Sequence, residues 1–364
     1  MIMLEQISLQ GILNMLHILM VTIFFLYGQK IQLTITLRRL GGMVLRLERM
    51  RDEGRYKTVE TLSQFNNDKQ TIEKRVDRLL NFFIISPVSL DPKGIIRKIE
   101  HQINNYDDVL KQEVVSLSPA ADKNQVNTMS NLLEVSSALD MMHRIARHFY
   151  ISGKNKGNIL AITQLQIFLP MILDAAEAYH SALNAFCKGL TIGDGFGPLV
   201  ASNLMKGNNP IEIAKDTVFG NVSIKGRKAL VVKAKGPGGN VGKPGEAIKK
   251  LVESNKNISL IITVDAALKF EGEDSGEIAE GTGAAIGGPG VERYKIEGVA
   301  TEHNIPLEAV IVKMSQKDAI SEIKPQITEA VEKVIDRITR IIEQRTRKSD
   351  TVVIAGIGNT LGIT

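Results

Sequence analysis

The sequence predicts a chain that ends in an α/β domain with a mostly parallel sheet, preceded by a transmembrane helix and an all-α region. Three observations carry this expectation. Residues 6–29 hold no charged side chain. Residues 30–190 read as mostly α, with apolar positions spaced near 3.6, the period of an α-helix, over 69–86 and helical patterns resuming at 95–117 and 125–150. From residue 191 the texture changes to short β-branched runs interleaved with helical patterns, the signature of a sheet covered on both faces. The boundaries follow as 6–29 for the anchor, 30–190 for the helical region and 191–364 for the α/β domain.

The first element is justified by length. A helix rises about 1.5 Å per residue, so about 20 apolar residues cross a bilayer core. The uncharged run Gln6–Gln29 is 24 residues long. A cleaved signal peptide wants positive charge ahead of its apolar stretch and small residues after it. Here Glu5 precedes the run, and Tyr27 and then basic residues follow its apolar core, Met15–Leu26. Residues 30–57 carry eight Lys and Arg against three Asp and Glu. That basic excess after the span places the bulk of the chain in the cytoplasm of a single-pass cell-membrane protein. Gln10, Asn14 and His17 share one helical face, read either as a polar stripe that joins helices into a homo-oligomer or as Gln10 at the membrane interface with the other two tolerated in the span.

The helical region comes next. Residues 30–66 read as a charged continuation of the anchor, followed by helices over 69–86, 95–117 and 125–150. The break PVSLDPKG separates the second from the third. A second uncharged run, Gly157–Leu173, carries Gln164, Gln166 and Pro170 and reads as a buried core helix. His143 and His148 are five apart, so they point about 140° away from each other and make a poor metal pair.

In the α/β domain, strands are expected at 218–224, 228–234, 258–265, 307–314 and 351–357. The net charge of +5 resides almost wholly in residues 30–57, which leaves no basic surface to argue for nucleic acid. The single cysteine, Cys187, excludes an intrachain disulfide and fits a reducing compartment.

Ligands of such sheets bind beyond the carboxyl ends of the strands. Asp194 in GDGFGP (193–198), the loop KGPGGNVGKPG (235–245), Asp265 and GIGNT (356–360) are all expected there. The glycine loop is no Walker A motif, because Pro244 follows Gly242-Lys243, and GTGAAIGG (281–288) lacks dinucleotide-binding spacing. ATP and NAD are therefore not supported as cofactors. Gly238, Gly239 and Lys243 are read either as an anion or carboxylate site at a helix start or as a tight βα turn. Asp194 and Asp265 are read either as two separate caps or as a carboxylate pair. In a pair, the two pKa values are pushed apart and one group can activate water.

The segment Gly193-Asp194-x-x-Gly197-Pro198-Leu199-Val200 resembles the G-D-x-x-G-P-L-V stretch of the spore-germination endopeptidases, and the related hydrogenase-maturation endopeptidases have a similar D-G-x-G segment. IITVDAAL (261–268) is similar to the strand that ends in their second functional aspartate. VIAGIGNT (353–360) resembles the V-x-G-x-G-N that opens the maturation enzymes. Here that strand closes the chain, as in a circular permutation. The resemblance implies a phosphorylase/hydrolase-like sandwich with Asp194 and Asp265 as the catalytic pair. Gly193, Gly195, Gly356, Gly358 and Asn359 would then form the substrate loops of a peptidase. The metal-binding histidine of those enzymes has no counterpart, so a divalent metal would rely on Glu280, Glu292 or His303. The whole chain, including GEIAEGTGAAIGGPGVERYKIE (276–297), is similar to an uncharacterised archaeal membrane-protein family with no assigned function. Two functions are expected from these readings: a membrane-anchored hydrolase acting on a protein or peptide, or a non-catalytic scaffold or ligand-binding protein.

Overall fold

The computed structural model describes residues 9–88 and 94–364. Residues 6–8 of the expected anchor, the side chain of Gln10 and residues 89–93 of the expected break lie outside them. The chain divides into two compact units, one made of 1–49 with 141–173, the other of 50–140 with 174–364.

Both units draw on long helices. Helix α1 (Leu9–Ser63) is continuous through the expected boundary at residue 30. In the first unit Leu40, Leu47, Leu165 and Leu169 are buried, and Gly41 admits the Tyr150 ring. Among the described residues one helix, α5 (Ile159–Lys188), is long and apolar enough to cross a membrane, and 33% of its apolar window is buried. Gly11–Phe24 within α1 forms a shorter apolar stretch.

The second unit contains the rest. Helix α2 (Lys69–Leu79) starts at Asp68, whose carboxylate accepts the Thr71 N–H, and ends seven residues before the expected limit. The apolar run after it is exposed, with Phe83 at 72% and Ile85 at 71%. The apolar spacing continued past the real helix end because this run carries no breaker until Pro87. Helices α3 (Ile95–Leu117) and α4 (Lys123–Lys156) follow. Val59, Leu62, Ile72, Val76, Leu110, Val114 and Leu133 form their shared core.

The sheet has seven strands in the order β1-β2-β3-β7-β4-β6-β5. They span Ile211–Ala214, Thr217–Ile224, Arg227–Ala234, Ile258–Leu268, Ile278–Thr282, Leu307–Met314 and Thr351–Gly356, numbered in chain order. The four central strands, β3, β7, β4 and β6, are parallel. The sheet as a whole is mixed, where a mostly parallel one was expected, because β1, β2 and β5 pair antiparallel. The cause is local. Lys225 and Gly226 both take positive φ, 49° and 78°, and close a two-residue hairpin between β2 and β3. The acidic stretch 271–281 is likewise partly strand: β5 hydrogen-bonds along β6, and Lys313 pairs with Glu273 and Glu277.

Helices cover both faces. On one, α6 (Phe196–Leu204) and α10 (Pro325–Arg345) bury Val200, Ile327, Val334, Ile338 and Ile342 against Val231, Ile262 and Val312. Each such side chain contributes about 1.5–3 kcal/mol on leaving water. On the other, α7 (Pro244–Ser254) and α8 (Val291–Glu302) pack Ile248, Leu251 and Ile296 on Leu230, Val232 and Val353. A short helix, α9 (Gln316–Ile320), lies against the turn before α6.

Candidate functional site

The carboxyl ends of β4 and β7 converge where α6 begins. Helix α6 reaches the strand ends through glycine. A Cβ on Gly197 would collide with the carbonyls of Ile357 and Val264, and one on Gly356 would meet Ala201 at 2.7 Å and the Gly197 carbonyl. The Ile357 N–H donates to the Val264 carbonyl at 2.8 Å, tying the two strand ends together. Gly358, with φ of 132°, leaves room for the Asp194 carbonyl. Glycine is needed at these positions because backbone packs directly on backbone.

That arrangement brings the two aspartates to one place. Asp194 lies in the 3-10 turn Gly193–Gly195, and its Oδ2 accepts the Asn359 N–H at 2.9 Å. Asp265 is on β4, 5% exposed, and its Oδ1 accepts the Ala266 N–H at 2.7 Å. Both line a single cavity of about 470 Å³, a volume suited to a small ligand. Burial raises the Asp194 pKa above the usual carboxylate value, partly countered by the Asn359 N–H. Asp265 is raised further, first by burial and then by the negative charge of Asp194. A buried carboxylate near a second one holds its proton at a pH where an exposed one has lost it.

Gly238 and Gly239 are clasped by α4. The Gly238 N–H donates to Asn124 Oδ1 at 3.3 Å, and Asn131 Nδ2 donates to the Gly239 carbonyl at 2.6 Å. Lys243 lines the cavity but spends its ammonium on Asn104 Oδ1 at 2.9 Å, and its N–H donates to Thr217 Oγ1. Lys235 turns away to pair with Glu212. The N-terminus of α7, where an anion was expected, is filled from within the chain. Glu292 Oε2 accepts the N–H groups of Gly245 at 2.7 Å and Glu246 at 3.3 Å. These contacts fit the tight-turn alternative for the loop.

The three metal candidates are not brought together. Glu280 sits exposed on edge strand β5 and pairs with Arg337 at 2.8 Å. His303 closes α8 on the surface. Glu292 is engaged at α7 and with Lys295 at 3.1 Å. Among the described residues there is no group of three or more His, Cys, Asp or Glu side chains placed to hold a metal ion. His143 is buried at 2% exposure while His148, five residues on, is exposed.

The opposite wall comes from α3 and the first half of α4, a contribution that motif reading missed. Asn104, Asp107, Asn127, Asn131 and Glu134 all line the cavity. Burial raises Asp107, with Lys243 and then Lys111 pulling it back. Glu134 is accessible through the cavity yet surrounded by protein, and loss of bulk hydration pushes it up to about 7, helped by the charge of Asp107. A signal was present. Asn127, Ser130, Asn131 and Glu134 form a polar stripe at i, i+3, i+4 and i+7, interleaved with Met129, Leu132 and Leu133, which are fully buried.

No curated protein matches the sequence. Two family models do, and together they span nearly the whole chain. Residues 14–189 match the N-terminal domain of a protein of unknown function (DUF1512), and residues 192–364 match the domain of unknown function (DUF1512) C-terminal. The junction between them falls immediately before the Asp194 turn, close to the boundary read from the change in texture, and the chain belongs to the DUF1512 family.

Proposed function

We propose that this protein is a membrane-associated hydrolase that cleaves an amide bond, with Asp194 and Asp265 as its acid and base. One observation carries the reading: both carboxylates line the same cavity, and the charge of Asp194 raises Asp265. Two such groups share a proton at neutral pH. Asp194, whose ionised form is supported by the Asn359 N–H, takes a proton from the attacking water. Asp265 retains its proton and delivers it to the leaving nitrogen. The resemblance to the spore-germination and hydrogenase-maturation endopeptidases points the same way. Membrane attachment rests on the apolar stretch Gly11–Phe24 and on α5, and the basic segment 30–57 supports a cytoplasmic location for the bulk of the chain.

The test is peptide turnover by the purified full chain against a mixed peptide library, with new amino termini counted. Wild type should cleave. Asp194→Asn and Asp265→Asn should lose about 10²-fold or more in rate while keeping the wild-type circular dichroism spectrum. Equal turnover by wild type and either variant would refute the assignment.

One feature favours a ligand-binding function instead. Most uncharged polar side chains of the cavity are amides: Asn104, Asn127, Asn131, Asn240 and Asn359. Amides hydrogen-bond a ligand but do not exchange protons with it. Absence of cleavage across the library, with ligand binding retained, would select this reading.

A further inference from the structure

The helical wall of the cavity has chemistry of its own. Asp107 on α3 and Glu134 on α4 line the same space as the floor aspartates. Neither makes an ion pair or side-chain hydrogen bond among the described residues, although three lysines line the cavity. Those lysines are engaged elsewhere: Lys243 with Asn104, Lys215 with Asp108, and Lys111 towards Asp216 at 3.7 Å. The two carboxylates are close enough that the charge of Asp107 acts on Glu134. An independent observation points to a ligand at this wall. Asn127, only 4% exposed, lines the cavity with no hydrogen-bond partner for its side-chain amide. Its amide atoms open onto the cavity, where a bound polar group can hydrogen-bond them. Asn131 lies between Asn127 and Glu134 on that helical stripe and commits only its Nδ2, to the Gly239 carbonyl. Among the described residues, Asp107 and Glu134 are the two lining carboxylates of this wall with no cation paired to them, so the occupant beside them is cationic. At about 470 Å³ it is small.

We propose that the Asp107–Glu134 wall, with Asn127 and Asn131, is a subsite for the primary ammonium group of a small ligand. An ammonium offers three donors, which matches two free carboxylates and an amide oxygen. This deepens the hydrolase reading, and rests on it only for the claim that the ligand is a substrate. The same ammonium chemistry could come from a free diamine or from the N-terminus of a short peptide.

Isothermal titration calorimetry on the detergent-solubilised full chain separates these, with putrescine, alanyl-alanine amide and N-acetyl-alanyl-alanine amide as probes. At least one ammonium-bearing probe should bind, and whichever does identifies the source. The acetylated dipeptide should bind about tenfold more weakly or not at all, since a charged hydrogen bond is worth about 1.5–3 kcal/mol. Glu134→Gln should lose about tenfold for the ammonium probes, consistent with that same range. Because Glu134 is accessible and unpaired, this variant should melt within a few degrees of wild type. Asn127→Asp serves as a second variant and should tighten ammonium binding by adding a charge. Asp194→Asn should keep the preference for the ammonium probes over the acetylated one, whether or not it turns over peptide. Ammonium binding without peptide cleavage would therefore uphold the subsite and sink the hydrolase. The subsite is overturned if neither ammonium probe binds, if acetylation costs nothing, if Glu134→Gln binds unchanged, or if Asp194→Asn loses that preference.

Discussion

At the residue scale, the buried carboxylates set the behaviour of the molecule against pH. Asp265 has a folded pKa well above its ordinary 3.8, through burial first and Asp194 second. Its folded form therefore binds a proton that the unfolded chain releases. Its contribution to stability is complete below about pH 3.8 and is lost as pH rises through the folded value. Asp265→Asn removes the charge while keeping the shape, so it should melt about 3 °C or more above wild type at pH 7. The difference should vanish near pH 3.5, and thermal melts at a series of pH values would show it. A melting difference independent of pH would mean that Asp265 is not held against its own charge. Backbone packing makes a second residue-scale prediction. Gly197→Ala places a methyl group against the carbonyls of Ile357 and Val264, neither of which can rotate away. It should cost about 3 kcal/mol and displace Asp194, whereas Gly281→Ala, with open space around it, should cost little. Chemical denaturation of the two variants compares them directly.

At the element scale, what was legible in the sequence depended on whether the signal was local. Helix α10 was plain because Ile327, Val331, Val334, Ile338 and Ile342 repeat on one face over twenty-one residues. The central strands β4 and β7 were plain because they are continuously apolar, as buried parallel strands are. The β2–β3 hairpin was missed because Lys-Gly is a weaker turn signal than Asn-Gly, and the strands it joins had been assigned to a parallel sheet. Edge strand β5 was hidden by its acidic neighbours, whose charges are paired along its length. In the site, both aspartates stood out because glycines flank one and a strand end carries the other. Asp107 and Glu134 did not, since a carboxylate on a helix is ordinarily a solvated one and only the fold turns these inward. The α7 cap was equally invisible, because Glu292 lies 47 residues from the Gly245 N–H it accepts. Glu292→Ala should expose the first turn of α7, weaken it by about 1 kcal/mol and create an anion site there. Sulfate should then stabilise the variant and leave wild type unchanged, measured by thermal shift.

At the scale of the whole molecule, apolar surface and charge together decide where the protein resides. Met15, Ile18, Met20 and Phe24 of α1 are exposed at 65–74%, and Ile159, Leu160 and Met171 of α5 at 66–68%. Surfaces this apolar are covered in a folded, functioning protein, either by lipid or by another chain. Under the membrane reading the chain should sediment with membranes and stay there through alkaline carbonate extraction, which strips proteins held by charge alone. The single cysteine makes the orientation measurable. Cys187 is a free, exposed thiol near the end of α5, beyond the apolar part of that helix. Under the single-pass reading, in which α5 does not cross, the positive excess after the first apolar stretch puts Cys187 on the cytoplasmic side. A membrane-impermeant maleimide should leave it unlabelled in intact cells and label it after permeabilisation, with Cys187→Ser as the blank. Labelling in intact cells would place Cys187 outside and overturn the single-pass topology with the bulk of the chain in the cytoplasm. It would also put the Asp194 turn, seven residues further along the chain, on the outer face, where the substrate would have to be extracellular.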